Sequence, residues 1–330
     1  MTIKVERNKN NPIIRGGIYN WRKVGTFNPA VIEHDNKIFM IERAIESIRP
    51  FICNFGLLES ENGIDFKMSC DKPILTAKEL GYPDGTIEDP RVVKIDGIFY
   101  MTFAYRKYTY NCYPTGIRVP DYTPLVGELD KGINHTLSGI ASSKDLIHWT
   151  MISTINPNAE VDERDNVLFP EKINGKYALL RRPKNFKNEQ CESPSIWISY
   201  SDDLINWDNP HLVAKPKYYW EGGKIGAGAT PIKTDKGWLL LYHGVDELDI
   251  YRVGAMLLDL KDPEKVLKRT KEFFLEPTEY YEKFGLVIPN VIFPTGNYLK
   301  DDKLMIYYGC CDTCISLAEV ELNKLFSVMQ

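Results

Sequence analysis

The sequence lacks the features that mark several large classes of protein. It has no excess of positive charge, because 41 lysines and arginines stand against 45 aspartates and glutamates, a formal net charge of −4. A chain of this charge has no electric field to attract nucleic acid or an anionic membrane surface. No apolar run is long enough to span a bilayer. We therefore expect neither a nucleic-acid partner nor a membrane.

Cysteine is scarce and odd in number, with seven residues in 330. Such a set does not indicate a disulfide framework, and the opening stretch MTIKVERNKNNPIIRGG lacks the apolar core of a signal peptide. Cys310, Cys311 and Cys314 lie together in CCDTC, but no second Cys/His cluster at zinc-finger spacing accompanies them. The sequence predicts free thiols, a cytoplasmic protein, and no bound metal or cofactor.

Five segments of the chain follow one design, in which an apolar strand, a polar turn and an aromatic-rich strand succeed one another. Their turns centre on Asn36, Gly97, Gly175, Gly237 and Asp302, at intervals of 61, 78, 62 and 65 residues. Asp-Gly and Asn-Gly are strong hairpin signals. Further strands follow most hairpins, and three of these segments carry a corner of the form Ser-x-(Asn/Asp) that an aromatic residue closes.

Four strands in each of five units predict an all-β fold, a five-bladed β-propeller, with residues 1–330 as a single catalytic domain. The alternative is a two-sheet sandwich, but a sandwich does not repeat its turn sequence at regular intervals. The one short helix expected is KDPEKVLKRTKEFF, residues 261–274. The longer second interval falls in residues 105–136, which we interpret as an insertion loop, and long loops in compact folds usually serve function.

The ends of the innermost strands of a propeller ring one face, so residues at the ends of the five hairpins should converge. This set combines acids and bases: Asn28, Arg43, Asp89, Arg91, Arg164, Asp165, Arg182, Lys224, His243 and Asp312. Single arginines at strand ends are usually solvated. Four basic groups at equivalent positions of a repeat (Arg164, Arg182, Lys224 and His243) instead indicate an anion site.

One acid facing such a basic pocket suggests a particular reaction. Inverting cleavage of a glycoside needs an acid for the leaving oxygen and a base that activates water. Inorganic phosphate is already anionic and needs no carboxylate base. Asp89 with the basic pocket is therefore the pattern expected of a phosphorylase, whereas a second carboxylate opposite Asp89 would suit a hydrolase.

Four separated motifs make the chain resemble glycoside hydrolase family 130, the β-mannoside phosphorylases and their hydrolase relatives. The resemblance covers about residues 28–325 and implies a five-bladed propeller. The motifs are EDPRVVKIDGIFYMTF, NVLFPEKINGKYALLRRP, WEGGKIGAGATPIKTDKGWLLLYHGV and IFPTGNYLKDDKLMIYYGCCDT.

The resemblance implies roles for individual residues. Asp89 of EDPR matches the catalytic acid of the family, which is thought to act through the 3-hydroxyl of the donor mannose. Asn28, Arg43 and Asp312 match positions that contact the sugar, and Arg91 and Asp165 are counted with them. The phosphate-binding set is Arg164, Arg182, Lys224 and His243. Two departures stand out: Asp165 replaces an asparagine of other members, and the 105–136 insertion leaves the acceptor preference open.

The sequence therefore predicts an inverting β-mannoside phosphorylase that converts a β-mannobiose or short β-mannooligosaccharide and phosphate into α-mannose 1-phosphate. Phosphate is a co-substrate and no cofactor is expected. The insertion could close the acceptor side against long chains, which favours a β-1,2 linkage slightly. The alternatives are a β-mannosidase of the same fold and a non-catalytic carbohydrate-binding propeller. Assembly into a homo-oligomer is left open.

Overall fold

The architecture is given by a computed structural model that describes residues 3–109, 136–156, 162–183 and 191–330, with the backbone of 111–112 and 118–119. The strands of the first half of the chain are β1 (Glu6–Arg7), β2 (Ile14–Arg15), β3 (Gly25–His34), β4 (Lys37–Ile48), β5 (Phe51–Ser60), β6 (Lys67–Met68), β7 (Thr86–Ile95), β8 (Ile98–Arg106), β9 (Asn111–Cys112), β10 (Arg118–Val119), β11 (Leu137–Ser143) and β12 (Thr150–Thr154).

The strands of the second half are β13 (Glu163–Leu168), β14 (Tyr177–Pro183), β15 (Ile196–Ser201), β16 (His211–Ala214), β17 (Lys224–Ala227), β18 (Ile232–Thr234), β19 (Gly237–Val245), β20 (Tyr251–Leu258), β21 (Val266–Arg269), β22 (Ile292–Lys300), β23 (Lys303–Cys310) and β24 (Cys314–Glu321). Short helices in the described part are α1 (Tyr280–Lys283), α2 (Leu322–Ser327) and 3₁₀ turns at Asn20–Arg22 and Tyr219–Glu221. No helix in these residues is both long and apolar enough to cross a membrane.

These strands form five antiparallel blades, which confirms the predicted propeller. Blade I has the order β3-β4-β5-β6, blade II β7-β8-β11-β12, and blade III β13-β14-β15-β16. Blade IV has the order β17-β19-β20-β21, with β18 also paired to β19, and blade V has β22-β23-β24-β1. The first strands of neighbouring blades pack on one another from β22 through β3, β7 and β13 to β17. They are therefore the inner ring.

The hairpins form where the turn residues predict them. In four blades both central residues have positive φ, as at Asp96 (51°) and Gly97 (82°) of blade II. This is the requirement of a type I′ turn, whose twist matches that of the flanking strands. Blade IV differs, because Gly237 (140°) has positive φ and Lys236 before it does not.

The serine corners cap the loops between the outer strands. In blade III, Ser201 Oγ accepts hydrogen bonds from the backbone of Asp203 and Leu204, while Asp203 Oδ1 accepts from Ile205 and Asn206. Blade II repeats the arrangement from Ser143. The side chains thus supply the hydrogen bonds that the turning backbone loses.

The core lies between blades rather than within a single sheet. Each pair of neighbouring blades shares a cluster of buried apolar side chains. Between blades III and IV, Trp238 is completely buried and meets Phe169 edge to face at 5.2 Å. Burial of a large side chain contributes about 1.5–3 kcal/mol, so these clusters hold the ring together.

The ring closes through residues near the start of the sequence. Strand β1 is the outer strand of blade V, with Arg7 opposite Ala318 of β24. The side-chain amide of Asn11 exchanges two hydrogen bonds with the backbone of Leu317, at 2.8 and 2.9 Å. Arg7 donates from Nε and Nη2 to the two oxygens of Glu282, which is fully buried, at 2.8 and 2.9 Å.

One local prediction was wrong. Residues 261–274 form strand β21 with flanking turns instead of a helix, because Val266 to Arg269 complete the hydrogen bonding of blade IV by pairing with β20. In blade V, β1 occupies the outer edge of β24, and helix α2 follows β24 directly. The predicted insertion at 105–136 lies mostly outside the described residues; β9 and β10 pair within it.

Replacement of Arg7 by alanine tests the closure. The change leaves the Glu282 carboxylate buried without its guanidinium, which typically costs about 3–5 kcal/mol. We expect the free energy of unfolding to fall by that order, measured by urea denaturation. Lys4→Ala is the matched control, because the Lys4–Glu6 pair is exposed (82% and 55%) and such pairs contribute about 0–1 kcal/mol. Equal losses in the two variants would contradict the role of Arg7 in closure.

Candidate active site

Three inner strands carry a β-bulge at the same point of the repeat. The pairing register shifts between Phe27 and Ala30, between Glu88 and Arg91, and between Arg164 and Val167. The bulged residues Asn28, Asp89 and Asp165 have φ values of 45°, 54° and 55°. Such φ values are uncommon outside glycine, although Asn and Asp tolerate them best. A bulge re-aims a side chain, and here it places three polar groups at the wall of one cavity.

The cavity has a volume of about 530 Å³ and brings together nine of the ten residues predicted from the hairpin ends. Those nine are Asn28, Arg43, Asp89, Arg164, Asp165, Arg182, Lys224, His243 and Asp312. They come from all five blades, as expected if strand ends converge on one face. The functional roles assigned to them remain predictions.

Asp89 is held from one side only. Its Oδ1 accepts hydrogen bonds from Asn28 Nδ2 at 2.7 Å and from Arg43 Nη1 at 2.8 Å. Within the described part of the chain, Oδ2 accepts none. The second oxygen is therefore available to a hydroxyl group in the cavity, which is the arrangement that an acid acting through a substrate hydroxyl requires.

Asn28 and Arg43 are themselves positioned by packing. The Arg43 guanidinium lies over the ring of Phe27, 4.4 Å from its centroid, a favourable cation–π geometry. Gly309 faces Asn28 so closely that a Cβ there would lie 1.9 Å from Asn28 Oδ1. Any side chain at Gly309 would displace Asn28 and with it the contact to Asp89.

Asp165 lies at the centre of a second cluster. Its Oδ2 accepts a hydrogen bond from Arg182 Nε and lies 3.6 Å from His243 Nε2. Burial by itself raises the pKa of Asp165, but the Arg182 and Arg91 guanidiniums outweigh it and lower that pKa to about 2. Asp165 is thus a carboxylate at neutral pH, and its charge offsets part of the positive charge around it.

His243 is buried and neutral. Its ring stacks on Tyr251 at 5.7 Å and meets Phe293 edge to face at 4.8 Å. Burial lowers the pKa of His243 to about 3, and Arg182, Lys224 and Arg91 act in the same direction against the opposing effect of Asp165. The sequence counted His243 among the basic groups. In the free protein its imidazole instead offers a neutral donor or acceptor, and Nδ1 has no hydrogen-bond partner among the described residues.

Lys224 completes this side of the cavity. Its Nζ donates to the Tyr251 hydroxyl at 2.8 Å, and in the described part of the chain no carboxylate lies within 4.0 Å of it. The small residues beside it have a definite function in packing: a Cβ at Gly226 would lie 2.4 Å from Asp165 Oδ2 and 2.5 Å from His243 Cε1. Glycine at this position lets the carboxylate and the imidazole meet.

Arg91 is the one predicted residue that does not line the cavity. It is 2% exposed and donates to the backbone oxygens of Asp89, Pro90 and Gly228. These contacts tie the bulge of blade II to blade IV. Arg91 therefore supports Asp89 from behind, and no direct contact with a sugar follows from its position.

Several residues of this region were not found from the sequence. The cavity is also lined by Phe51, Arg106, Asp246, Asp249, Tyr251 and Phe293. Behind the wall lies Glu88, which is fully buried and contacts Arg164 Nη1 at 2.9 Å. The motif EDPR contains two adjacent acids, Glu88 and Asp89, so the sequence did contain a sign of Glu88. In a regular strand, however, adjacent side chains point to opposite faces, which would place Glu88 away from Asp89.

The fold and the cavity agree with the comparison to known families. A family model described as beta-1,4-mannooligosaccharide phosphorylase matches residues 4–330. The chain belongs to glycoside hydrolase family 130. It is a β-mannoside phosphorylase, a glycoside phosphorylase of the mannosyltransferase type.

Individual members of family 130 are similar to this chain along most of its length. A 1,2-beta-oligomannan phosphorylase of Thermoanaerobacter sp. (strain X514) is 38% identical over 333 residues, which cover 98% of this chain and 99% of the relative. A beta-1,4-mannooligosaccharide phosphorylase of Ruminococcus albus is 42% identical over 305 residues, 88% of this chain and 81% of the relative. The structure of a beta-1,2-mannobiose phosphorylase from Listeria innocua, in complex with beta-1,2-mannobiose, superposes on this chain with a TM-score of 0.75 at 26% identity. The match covers 98% of this chain and 99% of the Listeria chain.

The neutral state of His243 has a measurable consequence for stability. Its folded pKa of about 3 lies below the ordinary value of 6.5. Between these values the unfolded chain binds a proton that the folded protein does not, so stability falls as the pH is lowered through this window. We expect His243→Gln to reduce the slope of unfolding free energy against pH by up to about 1.4 kcal/mol per pH unit between pH 6 and 4.

The measurement is urea denaturation of both proteins in phosphate-free buffer, because a bound anion would change the titration. Wild-type and variant curves that run parallel over this range would show that His243 is protonated in the folded protein.

Proposed function

We propose that this family 130 phosphorylase cleaves β-1,2-mannobiose and short β-1,2-oligomannosides with inversion, and releases α-mannose 1-phosphate. Asp89 acts as the acid, and Arg164, Arg182, Lys224 and His243 bind phosphate. The observation that carries the proposal is the meeting of one half-satisfied carboxylate and this basic group in a single cavity.

The two halves of the cavity suit two different ligands. Arg182 uses Nε for Asp165, and among the described residues its two Nη atoms donate to no other group. Lys224 carries a positive charge without a carboxylate partner in the described part of the chain. Planar guanidinium and ammonium donors that are already in place lower the cost of desolvating an oxyanion. Asp89 with Asn28 and Arg43 forms the other half, where the mannose is expected.

The phosphorolysis step then needs only one proton donor from the protein. Phosphate attacks the anomeric carbon from the face opposite the leaving group, so a β-mannoside gives the α-phosphate. Asp89 Oδ2 supplies a proton, passed on through a hydroxyl of the bound mannose to the leaving oxygen. Phosphate needs no general base because it is already charged.

The β-1,2 linkage of the substrate is inferred from similar proteins of family 130. The Thermoanaerobacter relative named for β-1,2-oligomannan and the Listeria structure named for β-1,2-mannobiose both cover 98% of this chain. The Ruminococcus relative named for β-1,4-mannooligosaccharides has the higher identity but covers 88%. We base the β-1,2 linkage on the similarity to these two proteins, which are named for β-1,2 substrates, along nearly the whole chain.

The proposal is tested by supplying β-1,2- and β-1,4-mannobiose separately, with and without phosphate. We expect α-mannose 1-phosphate, identified by its proton and phosphorus NMR signals, from the β-1,2 substrate and only with phosphate. Faster turnover of the β-1,4 substrate would overturn the linkage. Release of free mannose at a rate independent of phosphate would overturn the assignment of the nucleophile.

Two variants separate the acid from the anion site. Asp89→Asn should lower kcat by roughly 10²–10⁴, the range for lost general acid catalysis, with little change in KM for phosphate. Arg182→Ala should raise KM for phosphate, at a cost of roughly 2–5 kcal/mol. Arg181→Ala is the matched control, because Arg181 pairs with Glu163 and does not line the cavity. A shift in phosphate KM as large in Arg181→Ala as in Arg182→Ala would refute the assignment.

We also propose that the enzyme works in the cytoplasm. Cys53, Cys70, Cys310, Cys311 and Cys314 are free thiols, which supports a reducing environment. Fractionation of native cells tests this, and recovery of the activity outside the cytoplasmic fraction would contradict it.

A further inference from the structure

Glu88 lies where the two halves of the cavity meet, yet it does not line the cavity itself. Its carboxylate is completely buried. Oε2 accepts a hydrogen bond from Arg164 Nη1 at 2.9 Å, and Oε1 lies 3.6 Å from Arg43 Nη2 and 3.9 Å from Arg106 Nε. All three arginines reach the cavity wall. A single buried carboxylate is therefore surrounded by the guanidiniums of three residues that line the cavity.

All three arginines are shared between Glu88 and another group, and Arg106 places Nη2 3.9 Å from Asp162 Oδ2. Arg43 directs Nη1 to Asp89 Oδ1 at 2.8 Å and Nη2 towards Glu88. Arg164 directs Nη1 to Glu88 and Nη2 to Thr136 Oγ1 at 3.1 Å. A guanidinium is a rigid plane, so fixing one edge fixes the direction of the others. Glu88 thus sets the orientation of the arginine that contacts the acid and of the arginine placed in the phosphate site.

The contacts also join three blades. Arg43 comes from β4 of blade I, Glu88 from β7 of blade II, and Arg164 from β13 of blade III. The bulge at Asp89 lets consecutive carboxylates serve the same region, since Glu88 faces the arginines from behind and Asp89 faces the cavity. No other described glutamate contacts two arginines of the cavity wall.

We propose that Glu88 is a positioning residue of the reaction, one that aligns Arg43 with the acid and Arg164 with phosphate. The proposal rests on the proposed function, because it takes Asp89 as the acid and Arg164 as a phosphate ligand. It assigns no contact between Glu88 and either substrate.

Electrostatics and positioning predict opposite results for Glu88→Gln. Removal of a negative charge beside an anion site should by charge alone tighten phosphate binding. Loss of the charge-assisted hydrogen bond between Glu88 and Arg164 should instead let Arg164 turn away and so weaken phosphate binding. If Glu88 positions the arginines, we expect KM for phosphate to rise roughly 10-fold or more and kcat at saturating phosphate to fall by a similar factor.

The decisive measurement is a double-mutant cycle on phosphate KM with Glu88→Gln, Arg164→Ala and the double variant. Because Glu88 acts on phosphate through Arg164, the double variant should have nearly the phosphate KM of Arg164→Ala alone. A second variant, Glu88→Asp, keeps the charge but withdraws it from Arg164. It should also raise the phosphate KM, which a purely charge-balancing role would not predict.

Glu42→Gln is the matched control. Glu42 is equally buried and holds Arg22 through two hydrogen bonds of 2.7 and 2.9 Å, but neither residue lines the cavity. We expect it to lower the melting temperature and leave both kinetic constants of the folded enzyme within about twofold.

The outcomes separate the two proposals. If Arg164→Ala raises the phosphate KM while both Glu88 variants leave it unchanged or lower it, Glu88 only balances charge and the inference is wrong. The inference also fails if the effects of Glu88→Gln and Arg164→Ala are additive. If Arg164→Ala itself leaves phosphate KM unchanged, the phosphate site of the proposed function is misplaced. Should Glu88→Gln fail to fold, Glu88→Asp alone decides by the same criteria.

Discussion

The cavity depends on one distortion of the backbone, the bulge that interrupts the inner strand in blades I, II and III. Without it, alternation would send successive side chains of each strand to opposite faces, and only apolar residues would suit the packed interior. At Asn28, Asp89 and Asp165 the chain adopts positive φ, a conformation that costs about 1–3 kcal/mol for a non-glycine residue. The buried apolar clusters between the blades are large enough to hold the backbone in this conformation. These three polar groups are consequently attached to rigid strands rather than to loops.

Burial makes the charges in the cavity interdependent. Asp165 is ionised because Arg182 and Arg91 surround it, and His243 stays neutral partly because the same cations are close. Arg43 is divided between Asp89 and Glu88, so two carboxylates compete for one guanidinium. Any anion that entered the cavity would alter this balance for all of them.

The sequence predicts the features that depend on neighbouring residues. Turns such as Asp96-Gly97 carry their own conformational preference, and their spacing is sufficient to reach the propeller and the face where Asp89 and Arg182 meet. Features that depend on distant partners were missed. Residues 261–274 have helical composition, yet the open edge of β20 makes Val266–Arg269 a strand. Arg91 looks like a ligand by position, but its hydrogen bond to the backbone oxygen of Gly228 holds it beneath the cavity wall. The neutrality of His243 arises from burial, which no local motif reports.

The closure of blade V by β1 bears on how the enzyme is made. The amide of Asn11 reaches Leu317 across 306 positions of sequence, and Asp312 lies on the hairpin between β23 and β24. A ribosome therefore releases β1 long before its partner strand exists, and the first residues wait through the synthesis of four blades. Loop closure over such a distance is entropically costly and slow relative to local hairpin formation. Residues of all five blades line the cavity, so the cavity is complete only after the last blade docks, and a chain interrupted during synthesis has no closed cavity.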